Sequence, residues 1–227
     1  QDSYISKRSP EQNQGKSGQL YIVSGSKNEG AQIDPHEDKR TLISFNAQNI
    51  INDIGSGNIG DYTFKLRFFL SDLRLAYNNF SVSAYPISGS WDEGIGDEFE
   101  TDIGVSWKYR GLQSQYTFDA SENDYDFVTA SGSVEWDSEG GDYDSGSVYN
   151  STIDRDGMVM ETDITNYVDN VNSGSADNGL IYIADEVNYN MAMYSSDTVA
   201  EMQPYVVAYK DDYIVTGSAV EFDGDNS

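Results

Sequence analysis

Two pairs of aspartates have the spacing that sites for hard cations use. Asp142 and Asp144 lie two residues apart, as do Asp154 and Asp156, and Gly157 directly follows the second pair. Carboxylates at this spacing before a glycine are typical of Ca²⁺ loops. Neither pair completes an EF-hand, because the third ligand and the distal glutamate are missing. Asp and Gly also favour ordinary turns, so the pattern predicts either a structural Ca²⁺ site or turns without an ion.

The motifs that would indicate an enzyme lack the context they need. Residues 55–60 match the G-x-G-x-x-G dinucleotide pattern, but a predicted strand follows them where that motif requires a helix. His36, the single histidine, lies beside Pro35 in a polar turn, and no activated nucleophile or orienting partner is evident for it. With 39 acidic residues in the chain, no one carboxylate pair indicates a glycosidase. The sequence therefore predicts a protein that is not an enzyme and has no cofactor besides, at most, Ca²⁺.

The charge of the chain is strongly negative and unevenly distributed. The net charge is −26; residues 1–80 contain 9 Lys/Arg and 9 Asp/Glu, whereas residues 81–227 contain 4 and 30. Such a surface repels phosphate backbones and argues against nucleic-acid binding. The acidic surface either keeps the protein soluble or binds divalent cations or a basic partner. The N-terminal third carries no net charge, and we predict that it is the surface that packs on other chains. No apolar run approaches the ~18 residues of a membrane helix, so no membrane association is expected.

Most of the chain has the pattern of short strands. In residues 63–68, Phe64, Leu66 and Phe68 face one way, and Lys65 and Arg67 face the other. Segments rich in β-branched and aromatic residues alternate with Gly, Asn, Asp and Ser clusters, which predicts strands separated by turns. The predicted strands are Ser3–Lys7, Gln19–Ser24, Thr41–Asn46, Asp61–Leu70, Asn79–Ile87, Val105–Tyr109, Val159–Asp163, Leu180–Ala184, Met191–Ser195 and Pro204–Tyr209.

The remaining pattern defines the predicted fold class. One short helix is expected near residues 165–171, where Val168 and Val171 fall at helical spacing. Residues 46–60 are expected to be a long connection, and residues 119–156 an acidic insertion. We therefore predict an all-β, jelly-roll-like antiparallel β-sandwich with long loops. It forms a single domain over residues 1–220, followed by an acidic tail at 221–227.

The run from Ser88 to Asp97 places a large aromatic residue, Trp91, between a predicted strand end and an acidic, glycine-rich turn. This predicts that the tryptophan folds back onto a core, while Asp92, Glu93 and Asp97 either coordinate a cation or point into solvent. The predicted core residues are Trp91, Trp107, Phe45, Phe64, Leu66 and Phe68. Tyrosine offers a large amphipathic face for contact with partners. The predicted interface residues are Tyr4, Tyr21 and Tyr116.

A succession of motifs resembles one domain family. The first motifs are Asp2-Ser-Tyr-Ile-Ser, Asn13-Gln-Gly15, Leu20-Tyr-Ile-Val, Arg40-Thr-Leu-Ile-Ser-Phe-Asn46 and Tyr85-Pro-Ile-Ser-Gly-Ser-Trp-Asp-Glu-Gly94. The later ones are Asp163-Ile-Thr165, Asn178-Gly-Leu-Ile181, Met193-Tyr-Ser-Ser-Asp197 and Pro204-Tyr-Val-Val-Ala-Tyr209. In this order they resemble the DNRLRE-type β-sandwich, a disaggregatase-related, carbohydrate-binding-module-like domain. The two tryptophan motifs, around Trp91 and at Gly104-Val-Ser-Trp-Lys-Tyr-Arg-Gly111, resemble the branch found in virion structural proteins of tailed bacteriophages.

The chain also departs from the family pattern. Asn170-Val-Asn172 replaces a usual tryptophan, and Ser195-Ser-Asp-Thr-Val199 lacks the family's histidine. The resemblance implies a virion protein of the tail, neck, fibre or capsid decoration, whose partners are other virion proteins or copies of itself, with adhesion to a host surface as a further role. The alternative is a secreted or cell-surface carbohydrate-binding module or adhesin, with or without Ca²⁺. An enzyme acting on polysaccharide would need a carboxylate pair in a groove.

Overall fold

The computed structural model describes most of the 227-residue chain. The described residues are 1–25, 38–75, 81–96, 103–112, 114–119, 124–129, 132–185 and 189–210. His36, Asp97 and the predicted tail at 221–227 lie outside them.

The described residues form short strands and two helices. The strands are β1 (Asp2–Ser6), β2 (Gln19–Ser24), β3 (Lys39–Ile43), β4 (Tyr62–Leu75), β5 (Val82–Pro86), β6 (Tyr109–Gly111), β7 (Ser114–Asp119), β8 (Asp124–Thr129), β9 (Val134–Glu135), β10 (Tyr149–Asp154), β11 (Val159–Asp163), β12 (Leu180–Ala184), β13 (Tyr189–Tyr194) and β14 (Tyr205–Lys210). The helices are α1 (Ala47–Ile54) and α2 (Thr165–Asn172), with 3₁₀ turns at Ser56–Asp61 and Ala200–Met202.

The main sheet is antiparallel and closes on itself. Its closed path runs through β3, β12, β5, β10, β11, β4, β13 and β2, and Val23 of β2 pairs with Lys39 of β3 to complete it. β1 pairs with β3 over its whole length, and β14 pairs with the first half of β4. The predicted all-β antiparallel class is confirmed. The sheet is barrel-like, and it does not clearly show the predicted jelly-roll sandwich.

Two hydrophobic clusters lie on opposite faces of the sheet. On β3, Ile43 belongs to the larger cluster and the adjacent Leu42 to the smaller one, because successive side chains of a strand point to opposite faces. The smaller cluster contains Trp91, Trp107 and Trp136, all contributed by segments outside the closed sheet. These segments therefore pack on an outer face of the sheet and position the turn that follows Trp91.

Two expectations about elements need correction, and one acidic stretch adds a strand to the main sheet. Residues 46–60 contain α1, which Asn46 caps by accepting a hydrogen bond from the backbone N–H of Asn49. The predicted strand Val105–Tyr109 is wrong, since β6 begins only at Tyr109. The acidic stretch 119–156 contributes β10 to the main sheet, where it pairs with β5 and β11.

Candidate functional site

Four segments that are distant in sequence meet beside the start of β1: Asp2, residues 12–18, residues 91–96 and residues 195–197. We call this region the N-terminal junction. Asn13 holds it together, since its amide Nδ2 donates to the carbonyl oxygens of Glu93 (2.7 Å) and Val105 (2.8 Å). Its Oδ1 accepts from the backbone N–H groups of Gly15 (3.1 Å) and Gly96 (2.8 Å). Asn13 is fully buried, and all its hydrogen-bonding capacity is used.

Backbones approach each other so closely in the junction that only glycine fits. A Cβ added to Gly15 would lie 2.2 Å from the carbonyl oxygen of Glu93. At Gly94, where φ is +84°, an added Cβ would lie 2.1 Å from the carbonyl oxygen of Ile103. The glycine-rich run after Trp91 is therefore a packing requirement of this region.

The junction brings together the carboxylates of Asp2, Glu93 and Asp197, which we call the carboxylate triad. One oxygen of each residue lies within 4.8 Å of the corresponding oxygens of the other two. Asp2 is buried, Glu93 is half-buried and Asp197 is exposed, so the triad extends from the interior to the surface. Among the described residues, this is the one group of three acidic, histidine or cysteine side chains close enough to share an ion.

The hydrogen bonds of the triad leave one carboxylate oxygen unsatisfied. The backbone N–H of Asp2 donates to Glu93 Oε1 (2.7 Å), and the backbone N–H of Ser196 donates to Asp2 Oδ2 (2.8 Å). Asp2 Oδ1 is buried and has no hydrogen-bond partner. Lys16 Nζ lies 3.4 Å from Asp197 Oδ1 at the exposed end. The buried end thus lacks a compensating contact.

The electrostatics of the triad reflect this burial. Removal from water raises the pKa of Asp2 to about 7, although the N–H of Ser196 opposes the shift. Burial also raises the pKa of Glu93, with a smaller contribution from the negative charge of Asp197. Carboxylates in such a site bind a proton or a cation more readily than carboxylates on the surface.

A polar cleft of about 400 Å³ also lies at β1 and is partly built by the same 12–18 segment. We call it the Tyr4–Tyr21 cleft. It is lined by Tyr4, Ser6, Arg8, Ser9, Gln12, Gln14, Tyr21, Val23, Lys39 and Asn190. The rings of Tyr4 and Tyr21 meet edge to face at 5.0 Å, and Lys39 Nζ lies 4.9 Å and 4.4 Å from their centroids. Gln14 is buried, and its Oε1 has no hydrogen-bond partner.

The four aspartates predicted as metal ligands are exposed or half-buried, and the carboxylates of Asp142, Asp144 and Asp154 accept N–H or O–H donors. Asp142 accepts from two backbone N–H groups, those of residues 137 and 138 (both 2.7 Å). Asp144 accepts from the N–H of residue 146 and the hydroxyl of residue 147, contacts that lower its pKa. Asp154 accepts from the N–H groups of Asp156 and Gly157 (both 3.1 Å). Within the described residues, none of the four belongs to a group of three acidic side chains.

The other predicted site residues are the core residues and the interface tyrosines, and they differ in how the structure places them. All six predicted core residues are buried, and Trp91 also donates from Nε1 to the carbonyl oxygen of Asn178 (2.9 Å). Tyr4 is only 2% exposed, so its prediction as an interface residue needs correction: it packs inside the cleft against Tyr21. Tyr21 is half-buried, and the side chain of Tyr116 lies outside the described part of the structure.

Comparison with known proteins adds no relative. No family model, no curated protein and no solved structure matches this chain. The resemblance to the DNRLRE-type domain therefore rests on the sequence motifs alone. Among the described residues, no helix is long and apolar enough to cross a membrane.

Proposed function

We propose that this chain is a non-enzymatic structural protein of a bacteriophage virion, in the tail, neck, fibre or capsid decoration. It acts by assembling with copies of itself or with other virion proteins, and adhesion to the host surface is a further role. The motif succession supports this proposal, and the antiparallel all-β class of the fold agrees with it.

The Tyr4–Tyr21 cleft is the observation that carries the assembly mechanism. It gathers Arg8 and Lys39 next to the half-buried ring of Tyr21, which packs on the buried Tyr4, on a chain whose net charge is −26. A positive, aromatic cleft on an acidic protein is complementary to the acidic surface of another copy. Arginine and tyrosine are also enriched in protein interfaces. An acidic segment of a neighbouring subunit is therefore the partner that fits best.

Sedimentation velocity of the purified chain at low and high salt tests the assembly mechanism. We expect self-association that weakens with salt, and a loss of about tenfold or more in the association constant for Arg8→Glu, an exposed residue at the cleft. Arg155→Glu, an exposed cation in the turn between β10 and β11, is the matched control and should associate like the wild type. Monomers under all conditions, or equal effects of the two variants, would contradict self-assembly through the cleft.

The virion assignment has its own test. Particles purified from a lysed culture of the host that carries the gene should contain the chain by mass spectrometry. Antibodies against it should label one structural part of the particle in electron microscopy. Particles that lack the chain, while it is recovered from the culture medium, would contradict the assignment.

A secreted or cell-surface carbohydrate-binding module is the second candidate, and Gln14 favours it specifically. Gln14 lines the cleft, and its Oε1 is buried without a partner. The cleft also offers Gln12, Asn190 and the ring of Tyr21, the polar and aromatic groups that sugars contact. A glycan array should then give a binder that Gln14→Leu weakens by about tenfold or more. An array without a binder, together with a stable higher oligomer, would count against this candidate.

A further inference from the structure

We infer that the carboxylate triad binds one Ca²⁺ ion, which links the N-terminal strand β1 to the turns at residues 91–96 and 195–197. This inference is independent of the proposed function. It differs from the prediction made from the sequence, which places a Ca²⁺ site at the aspartate pairs 142/144 and 154/156.

The spacing of the three oxygens suits this ion. Ca²⁺ lies about 2.4 Å from each oxygen ligand, so two oxygens on opposite sides of it are about 4.8 Å apart. The triad oxygens of Asp2, Glu93 and Asp197 all lie within 4.8 Å of one another. Three oxygens at this limit would lie slightly farther from their common centre than a Ca–O bond, so one Ca²⁺ can contact all three carboxylates after small side-chain rotations. Mg²⁺ requires shorter bonds and near-ideal octahedral geometry, so it suits this irregular set less well.

The unsatisfied oxygen of Asp2 is an independent indication of a ligand. Asp2 Oδ1 is buried without a partner, and leaving a buried charged group unpaired costs free energy. The nearby N–H groups already have acceptors, because Ser196 donates to Asp2 Oδ2 and Asp2 itself donates to Glu93 Oε1. A cation supplies the missing contact.

The local charge also favours a cation. Three carboxylates meet here, and the positive groups that act on them are Lys16 and the amino group of Gln1. Lys16 contacts Asp197 at the exposed end of the triad, 3.4 Å away. The amino group of Gln1 offsets only part of the effect of burial on Asp2, whose pKa remains raised. The exposed carboxylate of Asp197 gives an ion access from solvent.

Isothermal titration of CaCl₂ into the EDTA-treated, dialysed full chain tests the site. About 150 mM salt in the buffer suppresses diffuse binding to the acidic surface. We expect one ion per chain, with a Kd between about 10⁻⁵ and 10⁻³ M. Ca²⁺ should also raise the unfolding temperature by several degrees, because it binds the folded state only.

Two variants locate the ion, and two controls exclude the acidic turns. Asp197→Asn removes one charge at an exposed position and should weaken Ca²⁺ binding about tenfold or more. Glu93→Gln should do the same while its amide oxygen still accepts the N–H of Asp2. Asp144→Asn and Asp156→Asn should bind Ca²⁺ within about twofold of the wild type.

Two results would overturn the inference. The absence of heat and of thermal stabilisation up to about 10 mM Ca²⁺ would overturn the inference, since that concentration exceeds the affinity range of protein Ca²⁺ sites. Binding that survives Asp197→Asn and Glu93→Gln but is lost in Asp144→Asn or Asp156→Asn would also overturn it. Circular dichroism in EDTA shows whether each variant is folded, and if Asp197→Asn does not fold, Glu93→Gln decides.

Discussion

The N-terminal junction and the acidic turns between residues 137 and 157 both contain aspartate carboxylates that accept backbone N–H groups. They differ in how far these carboxylates are buried. In the turns, Asp154 accepts from two backbone N–H groups at the exposed surface, where water also contacts its carboxylate. In the junction, Asp2 accepts from one N–H group, and its other oxygen is buried without a partner. The two regions thus differ in burial and in compensation, not in the density of acidic residues, and this difference is why we place the Ca²⁺ site in the junction.

Glu161 is a carboxylate whose partial burial is compensated by neighbouring cations. Burial alone would raise the pKa of Glu161, but its contacts with Arg67 and Lys65 lower it. Arg67 also donates to the hydroxyl of Tyr205 (2.9 Å), which fixes the guanidinium beside Glu161. Glu161 therefore forms a structural ion pair, whereas the amino group of Gln1 only partly offsets the burial of Asp2. We expect the two residues to respond to mutation in opposite directions.

Asn13→Ala should give the largest effect, because it breaks the junction itself. It removes four hydrogen bonds of a fully buried side chain and leaves their backbone partners unsatisfied. We expect a loss of about 3–5 kcal/mol in the free energy of unfolding, measured by urea denaturation. Asn58→Ala, which removes one exposed hydrogen bond to the carbonyl oxygen of Ile54, is the control and should cost less than about 1 kcal/mol. Similar costs for both variants would mean that Asn13 does not hold the junction together.

Asp2→Asn should stabilise the protein in EDTA, by about 1–2 kcal/mol, since it removes a buried negative charge from a site with two other carboxylates. The amide oxygen can still accept the N–H of Ser196, and the amide nitrogen is a new donor to the neighbouring carboxylates. Urea denaturation in EDTA and in Ca²⁺ measures the effect, and the advantage over the wild type should disappear in Ca²⁺. Asp142→Asn, which has two N–H partners, should show no gain. A less stable Asp2→Asn protein in EDTA would contradict the view that Asp2 is uncompensated.

Glu161→Gln should lower stability by about 1 kcal/mol at neutral pH, because it leaves Arg67 without its carboxylate partner. The pKa of Glu161 is lowered in the folded state, so its contribution is fully present above the ordinary value of 4.5. The contribution is lost as pH falls through the lowered folded pKa. Urea denaturation of wild type and variant should therefore show a difference at neutral pH that disappears in acid. A difference that does not depend on pH would mean that packing, not charge, explains the loss.

Local patterns predicted the parts of the fold that depend on local order. The alternation of Phe64, Leu66 and Phe68 correctly predicted the buried face of β4, because strand geometry places every second side chain on one face. The helix α1 was missed because its sequence is rich in Asn and Ile and resembles a loop until Ile50 and Ile51 are seen packed in the core.

The candidate site was less predictable because it depends on long-range contacts. Asp2 and Asp197 are 195 positions apart, and neither has neighbours that resemble a metal motif. They meet because the backbone N–H of Ser196 donates to Asp2 Oδ2 and the hydroxyl of Ser195 donates to the carbonyl oxygen of Ser17. The sequence indicates that Glu93, in the turn after Trp91, either coordinates a cation or points into solvent. It does not indicate Asp2 and Asp197 as its partners, because the fold alone brings these residues together.

Asp154→Asn should have the smallest effect and provides the sharpest contrast with the junction. The new amide oxygen still accepts the N–H groups of Asp156 and Gly157, and the site is exposed, so stability should change by less than about 0.5 kcal/mol. Stabilisation by Ca²⁺, measured as the difference between denaturation curves in Ca²⁺ and in EDTA, should equal that of the wild type. If this variant instead loses its response to Ca²⁺, the cation binds where the Asp-x-Asp-Gly pattern indicates. The buried oxygen of Asp2 would then need another explanation.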